Sequence, residues 1–171
     1  MKSGQNFGIL YILLVVCQVV MNTYTQLGPY IMLSMLPAMV LCIPTGVKTS
    51  VCMLIAFASG FAVDWLSEGY IGLNIAALLP VALLRRSVIR IFLGEDIINR
   101  NDTFSIRKNG IGKVSLALFV SVSVFLALHI FLDGAGTRPL WFSATRFGAS
   151  LACNWILGLL VINILTPDDR K

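Results

Sequence analysis

The chain has 171 residues, of which 57% are hydrophobic and only 12% charged, with a mean hydropathy of +0.86. Soluble domains carry about 25% charged residues, so an ordinary globular core is excluded, and the length allows a single domain with nearly every residue committed to apolar spans. The net charge of +5 lies beside the apolar runs and not on an amphipathic face, which excludes nucleic acid as a partner and points to membrane lipid and a positive-inside topology.

Six apolar runs follow in order, at about residues 7–24, 30–43, 50–65, 71–84, 111–131 and 140–165. The runs lack the period-two alternation of an outer-membrane barrel, and lipid requires every peptide group to be paired, so helices are the expected spanning form. The expected fold class is therefore an all-α polytopic membrane protein of six transmembrane helices. No small-residue cleavage site follows the first run, which is read as a retained first helix. Gly28-Pro29 enters the second run and Pro44-Thr45-Gly46 closes it. The second, third and fourth runs fall short of the ~20 residues of a straight crossing.

Orientation follows from Lys and Arg. Seven of the thirteen basic residues lie between Arg85 and Lys113. With the N-terminus inside, eleven fall on the inner side and two, Arg138 and Arg146, on the outer. That split predicts both termini in the cytoplasm. The segment from Arg85 to Leu93 alternates basic and apolar residues. It fits either a short helix lying on the anionic inner leaflet or a continuation of span four. Either way Arg85, Arg86 and Arg90 are expected at the membrane surface, where they and the following loop to residue 110 offer a docking face.

The polar residues within the spans are the functional candidates, because ionisable groups at membrane depth are costly unless paired or wet. Asp64 and Glu68 are the only acids between spans three and four, at the outer face. The readings for Asp64 are a helix cap, a water-facing acid or a functional group. Arg146 lies about two turns into span six, and is expected either to pair with Asp64 or Asp133 or to snorkel to the outer headgroups. Ala56-x-x-x-Gly60, Ala58-x-x-x-Ala62 and Gly148-x-x-x-Ala152 permit close helix approach. Gln18, Asn22, Asn74 and Asn154 are expected to bond between helices. His129 is the lone histidine, with no acid expected to make it a proton carrier. Cys17, Cys42, Cys52 and Cys153 all lie in apolar runs, so neither a disulfide framework nor a metal site is indicated. Gly110-Ile111-Gly112-Lys113 lacks the spacing of a phosphate loop. With no Ser/His/Asp set, paired intramembrane carboxylates or HExxH, neither catalysis nor a cofactor is expected.

Ala58-Ser59-Gly60-Phe61-Ala62-Val63-Asp64-Trp65-Leu66, then Gly69-Tyr70-Ile71-Gly72-Leu73-Asn74-Ile75-Ala76-Ala77, runs on to Pro80 and Arg85-Arg86. This Gly-x-x-x-Asp followed by Gly-x-Asn resembles the rod-shape-determining membrane protein MreD family. The six spans, the early Gln18 and the long basic loop after span four are similar to it too. The resemblance implies a non-enzymatic scaffold of the bacterial elongasome in the inner membrane. Its implied partners are an MreC-like bitopic protein, MreB, RodA and a penicillin-binding transpeptidase. The implied fold is similar to the substrate-binding S-components of energy-coupling-factor transporters, which makes a small-molecule (vitamin) binding subunit the alternative. Against that alternative, span one is bulky where those proteins carry a small-residue docking face. The positions marked by the resemblance are Gly60, Asp64, Gly72 and Asn74, taken as architectural or partner-facing.

Overall fold

The computed structural model describes residues 3–24, 31–68, 72–99, 104–134 and 139–166. Among these, every regular element is a helix. The elements are α1 (Ser3–Tyr24), α2 (Leu36–Cys42), α3 (Thr49–Val63) continued by a π-helical turn (Asp64–Glu68), and α4 (Leu73–Leu93). The short α5 (Glu95–Asn99) and α6 (Ile106–Asn109) lead to α7 (Ile111–Gly134) and α8 (Leu140–Leu165). Four stretches are long and apolar enough to cross a membrane, namely Phe7–Tyr24, Thr49–Ser67, Ile111–Gly134 and Trp141–Leu165. They mark the chain as a membrane protein. Their exposed faces carry large apolar residues, among them Ile9, Ile12 and Leu13 on α1 and Ile156 and Leu160 on α8. In a bilayer such faces meet acyl chains and require no cover.

The second apolar run departs from the continuous helix expected of it. Residues 31–35 are non-helical and only Leu36–Cys42 is helical, a rise of about 10 Å. Pro37 accounts for the start. It has no N–H to donate to the carbonyl four residues back and its ring clashes with that carbonyl, yet it suits the first turn of a helix, and it stands at the head of α2. All seven residues of α2 are buried. The short helix packs most extensively on α8 and α7, then on α4, α3 and α1, so it forms the axis of the bundle and not one of its walls.

The fourth run also differs in length. Rather than stopping at Arg85-Arg86, α4 continues without a break to Leu93, where Gly94 at φ +95° ends it. Of the two expected arrangements this is the continuous one, a single helix running through the arginine pair. One face of α4, through Ala77, Leu78, Val81, Ala82, Arg85, Val88 and Ile89, is buried, and it packs on α7 and α3. Where the described chain resumes after α5, Phe104 is fully buried and Ser105 nearly so.

Candidate functional site

The four motif positions converge on the junction between α3 and α4. Gly60 brings the two backbones together. A Cβ built there would lie 3.1 Å from both Cα and N of Ile75 and 3.3 Å from the carbonyl carbon of Asn74. The π-helical turn that follows carries Asp64 at its head; such turns insert one residue and re-aim the side chains after them. Asp64 is completely buried. Its Oδ2 accepts from the backbone N–H of Gly72 at 2.9 Å and of Ile75 at 3.4 Å, and its Oδ1 from the backbone N–H of Asn74 at 3.1 Å and from Asn74 Nδ2 at 2.8 Å.

These bonds satisfy the orphan amides of the first turn of α4, and they place a carboxylate against the positive end of the helix dipole. Asp64 is thus an N-cap supplied from the preceding helix, the first of the three readings open to it. Gly72 supplies the required geometry. It immediately precedes α4 with φ +116°, a left-handed conformation that costs other residues ~1–2 kcal/mol. Glu68's side chain and residues 69–71 lie outside the described residues.

Replacing Gly60 with Ala is therefore expected to cost about 1–3 kcal/mol, because the new methyl group meets backbone and not a side chain able to swing away. Detergent-titrated unfolding of purified Gly60→Ala checks this. A variant as stable as the parent would show that α3 and α4 can part without loss.

A second polar cluster holds the non-helical segment 31–35. Gln18 on α1 accepts from the N–H of Met35 at 2.6 Å and donates to the carbonyl of Leu33 at 3.1 Å. From the opposite side, Asn154 on α8 accepts from the N–H of Ser34 at 2.6 Å and donates to the carbonyl of Met32 at 2.7 Å. Ser150, one turn earlier on α8, accepts from the N–H of Met32 at 2.9 Å. Two carboxamides and a hydroxyl thus replace the helical bonds this stretch forgoes. Gln18 and Asn154 were expected to bond between helices; their partners are instead main-chain groups of this segment. Gln18 also donates to Asn22 at 2.8 Å, and Asn22 reaches Ser67 of the π turn at 3.5 Å, so the first cluster and the second are joined through α1.

Arg146 pairs with Asp133, Nη1 to Oδ2 at 2.5 Å, with both side chains largely buried. Of the arrangements open to it, the pair with Asp133 ties α8 to α7 and leaves Asp64 to the α4 amides. Either single substitution, Asp133→Arg or Arg146→Asp, is expected to lower the yield of folded protein. The double swap is expected to restore most of it, with a coupling energy on the order of 1–3 kcal/mol. Unfolding curves of the three variants measure it, and a double swap worse than both singles would break the pairing.

Arg85 requires a correction. Expected at the membrane surface with Arg86 and Arg90, it is only 4% exposed. Its Nε donates to the carbonyl of Leu41 at 3.4 Å, and its Nη2 donates to the carbonyl of Ile43. Because α4 does not end at the arginine pair, its helical period turns Arg85 inward with Ala82 and Ile89. There it caps the C-terminus of α2, where a cation meets the negative end of the dipole. Arg86 and Arg90 are exposed, and Arg90 Nε lies 3.0 Å from Glu95 Oε1. A narrow cleft beside Arg85 and Arg86 is lined by Thr45, Thr49, Cys52 and Ile98 as well.

The bundle therefore has two unlike ends. The α2–α3 turn and the second half of α4 share one, rich in Arg. The Asp64 cap and the Asp133–Arg146 pair share the other. Ser150 was not singled out from sequence, and its signal is the i, i+4 pair it forms with Asn154 inside an apolar helix. No protein-family profile, curated protein or solved structure matches this chain.

Proposed function

We propose that this protein is a non-enzymatic, MreD-type scaffold of the bacterial inner membrane, a six-span bundle with both termini in the cytoplasm. In this reading it supports rod shape and lateral peptidoglycan synthesis by complex formation with an MreC-like bitopic protein, MreB, RodA and a penicillin-binding transpeptidase. The observation that carries the proposal is the Asp64 junction. Gly60, Asp64, Gly72 and Asn74 meet in one buried contact in which both carboxylate oxygens are already engaged by α4. A motif used in this way shapes the bundle that partners recognise; it leaves no acid on offer to a substrate. The eleven-to-two division of basic residues supports a cytoplasmic position for the Arg-rich end of the bundle, in which Arg86 and Arg90 would face the inner leaflet and soluble components.

The alternative, an S-component-like small-molecule binding subunit, would need a partly enclosed outer-facing pocket with convergent polar groups. Here Gln18, Ser150 and Asn154 are already engaged by five main-chain groups of residues 32–35. Crosslinking of the tagged protein in native membranes, with mass spectrometry of what is captured, separates the two. MreC-like and wall-synthesis proteins are the expected partners, whereas an ATPase with a membrane coupling subunit would replace the scaffold reading with the transporter one.

A further inference from the structure

The cleft beside Arg85 and Arg86 opens where the α2–α3 turn, the first turn of α3, the middle of α4 and α5 come together. Its volume is about 10 Å³, room for a single oxygen atom. Arg85, buried, stands on its inner side and Arg86, exposed, on its outer side. Thr45 and Thr49 add two hydroxyls, and no acid lines it. Neither guanidinium has an acid within ion-pair distance among the described residues, since Glu95 pairs with Arg90 and Asp133 with Arg146.

Hydrogen bonds do not by themselves neutralise a buried charge. The carbonyls of Leu41 and Ile43 accept from Nε and Nη2 of Arg85, but the end of a helix supplies only about half a negative charge, and α2 has just seven residues. Two adjacent cations therefore border a cleft with less than one unit of compensating charge, and buried cations are stable when an anion meets them. Shape restricts the anion. A carboxylate is held best side-on by two nitrogens of one guanidinium, and two of Arg85's three already serve α2. A halide small enough for the cleft would not reach Arg86 from inside it. A phosphate can place one oxygen within and keep the others outside for Arg86 and the hydroxyls. Thr49 is also the first residue of α3, which has no side-chain cap, so the positive end of that helix dipole favours the same charge. We infer that the cleft binds a phosphate group, one oxygen against Arg85 and the others at Arg86 and the threonines, supplied by an anionic phospholipid headgroup or by free phosphate. The site lies at the opposite end of the bundle from Asp64 and is independent of the scaffold reading.

Thermal unfolding of the full chain tests this, in dodecyl maltoside at constant ionic strength, once a phosphorus assay shows the protein free of phospholipid. Inorganic phosphate and a short-chain phosphatidylglycerol are titrated separately. A ligand of the folded state is expected to raise Tm saturably, by roughly 3–6 °C at ten times its Kd. Arg86→Gln, at an exposed position, is expected to keep the parent's Tm without ligand and to weaken binding about tenfold. Arg90→Gln, one turn further along α4 and outside the cleft, is expected to bind as the parent does. A response to phosphatidylglycerol alone assigns the phosphate to the headgroup, whereas a response to inorganic phosphate shows that the free ion suffices. No saturable rise with either ligand overturns the inference. So does a rise that Arg86→Gln leaves intact, or one that Arg90→Gln weakens equally.

Discussion

Asp64→Asn is expected to be the most damaging single-atom change in the molecule, at about 4 kcal/mol from the loss of two buried acceptances and a charge–dipole contact. The carboxamide keeps one oxygen for Asn74, but its nitrogen replaces the oxygen that accepts from Gly72 and Ile75. Donor then faces donor at the start of α4. No water reaches the site to compensate, since Asp64 is fully buried. Unfolding in mixed micelles titrated with sodium dodecyl sulfate gives the difference, and a loss below about 1 kcal/mol would mean that the cap is incidental to stability. The comparison with Asn74→Leu is informative. That change deletes one acceptance and leaves the carboxylate with its backbone partners, so its cost should be well under half as large.

The second large effect is expected at the clamp around residues 31–35. Polar contacts between membrane helices average only about 0.6 kcal/mol, because separated helices find other partners. Gln18 and Asn154 differ in that each serves two main-chain groups of a segment, 31–35, that is not helical. Gln18→Leu or Asn154→Leu should each cost about 2–4 kcal/mol, the penalty for orphaning two buried peptide groups. The two bind opposite sides of one segment, so the double variant should cost less than the sum of the singles, since a segment freed on one side loses its register on the other. Strict additivity would show that the two sides act independently.

Much of this architecture is legible in the sequence, and the illegible parts share a cause. Long apolar runs give α1, α3, α7 and α8 close to their expected bounds, because a helix is the self-sufficient way for a main chain to sit in lipid. The Asp64–Asn74 region stands out as a motif for the same reason that it packs as it does: only glycine fits at 60 and 72. What a sequence does not display is the partner of a buried polar group. Gln18 and Asn154 were expected to reach across to other helices, and nothing in their type says that they bond to main chain. Residues 31–35 are apolar enough to read as helix, and it is Pro37 together with distant amides that keeps them out of one. Arg85 reads as the end of a span because it is charged. It becomes a core residue once α2 ends beside it with carbonyls to offer.

The short buried α2 bears on how the protein is made. The bonds that hold Met32 and Ser34 run to Ser150 and Asn154, 118 to 122 residues further along the chain. At 5–20 residues per second, a ribosome needs on the order of 10 s to cover that distance. Throughout that interval the second apolar run has no α8 to bond with, and its main-chain groups must rely on water, the insertion machinery or a transient helix. Its final shape can be reached only after the last helix is synthesised, so insertion of this protein cannot be a sequence of independent crossings completed in order.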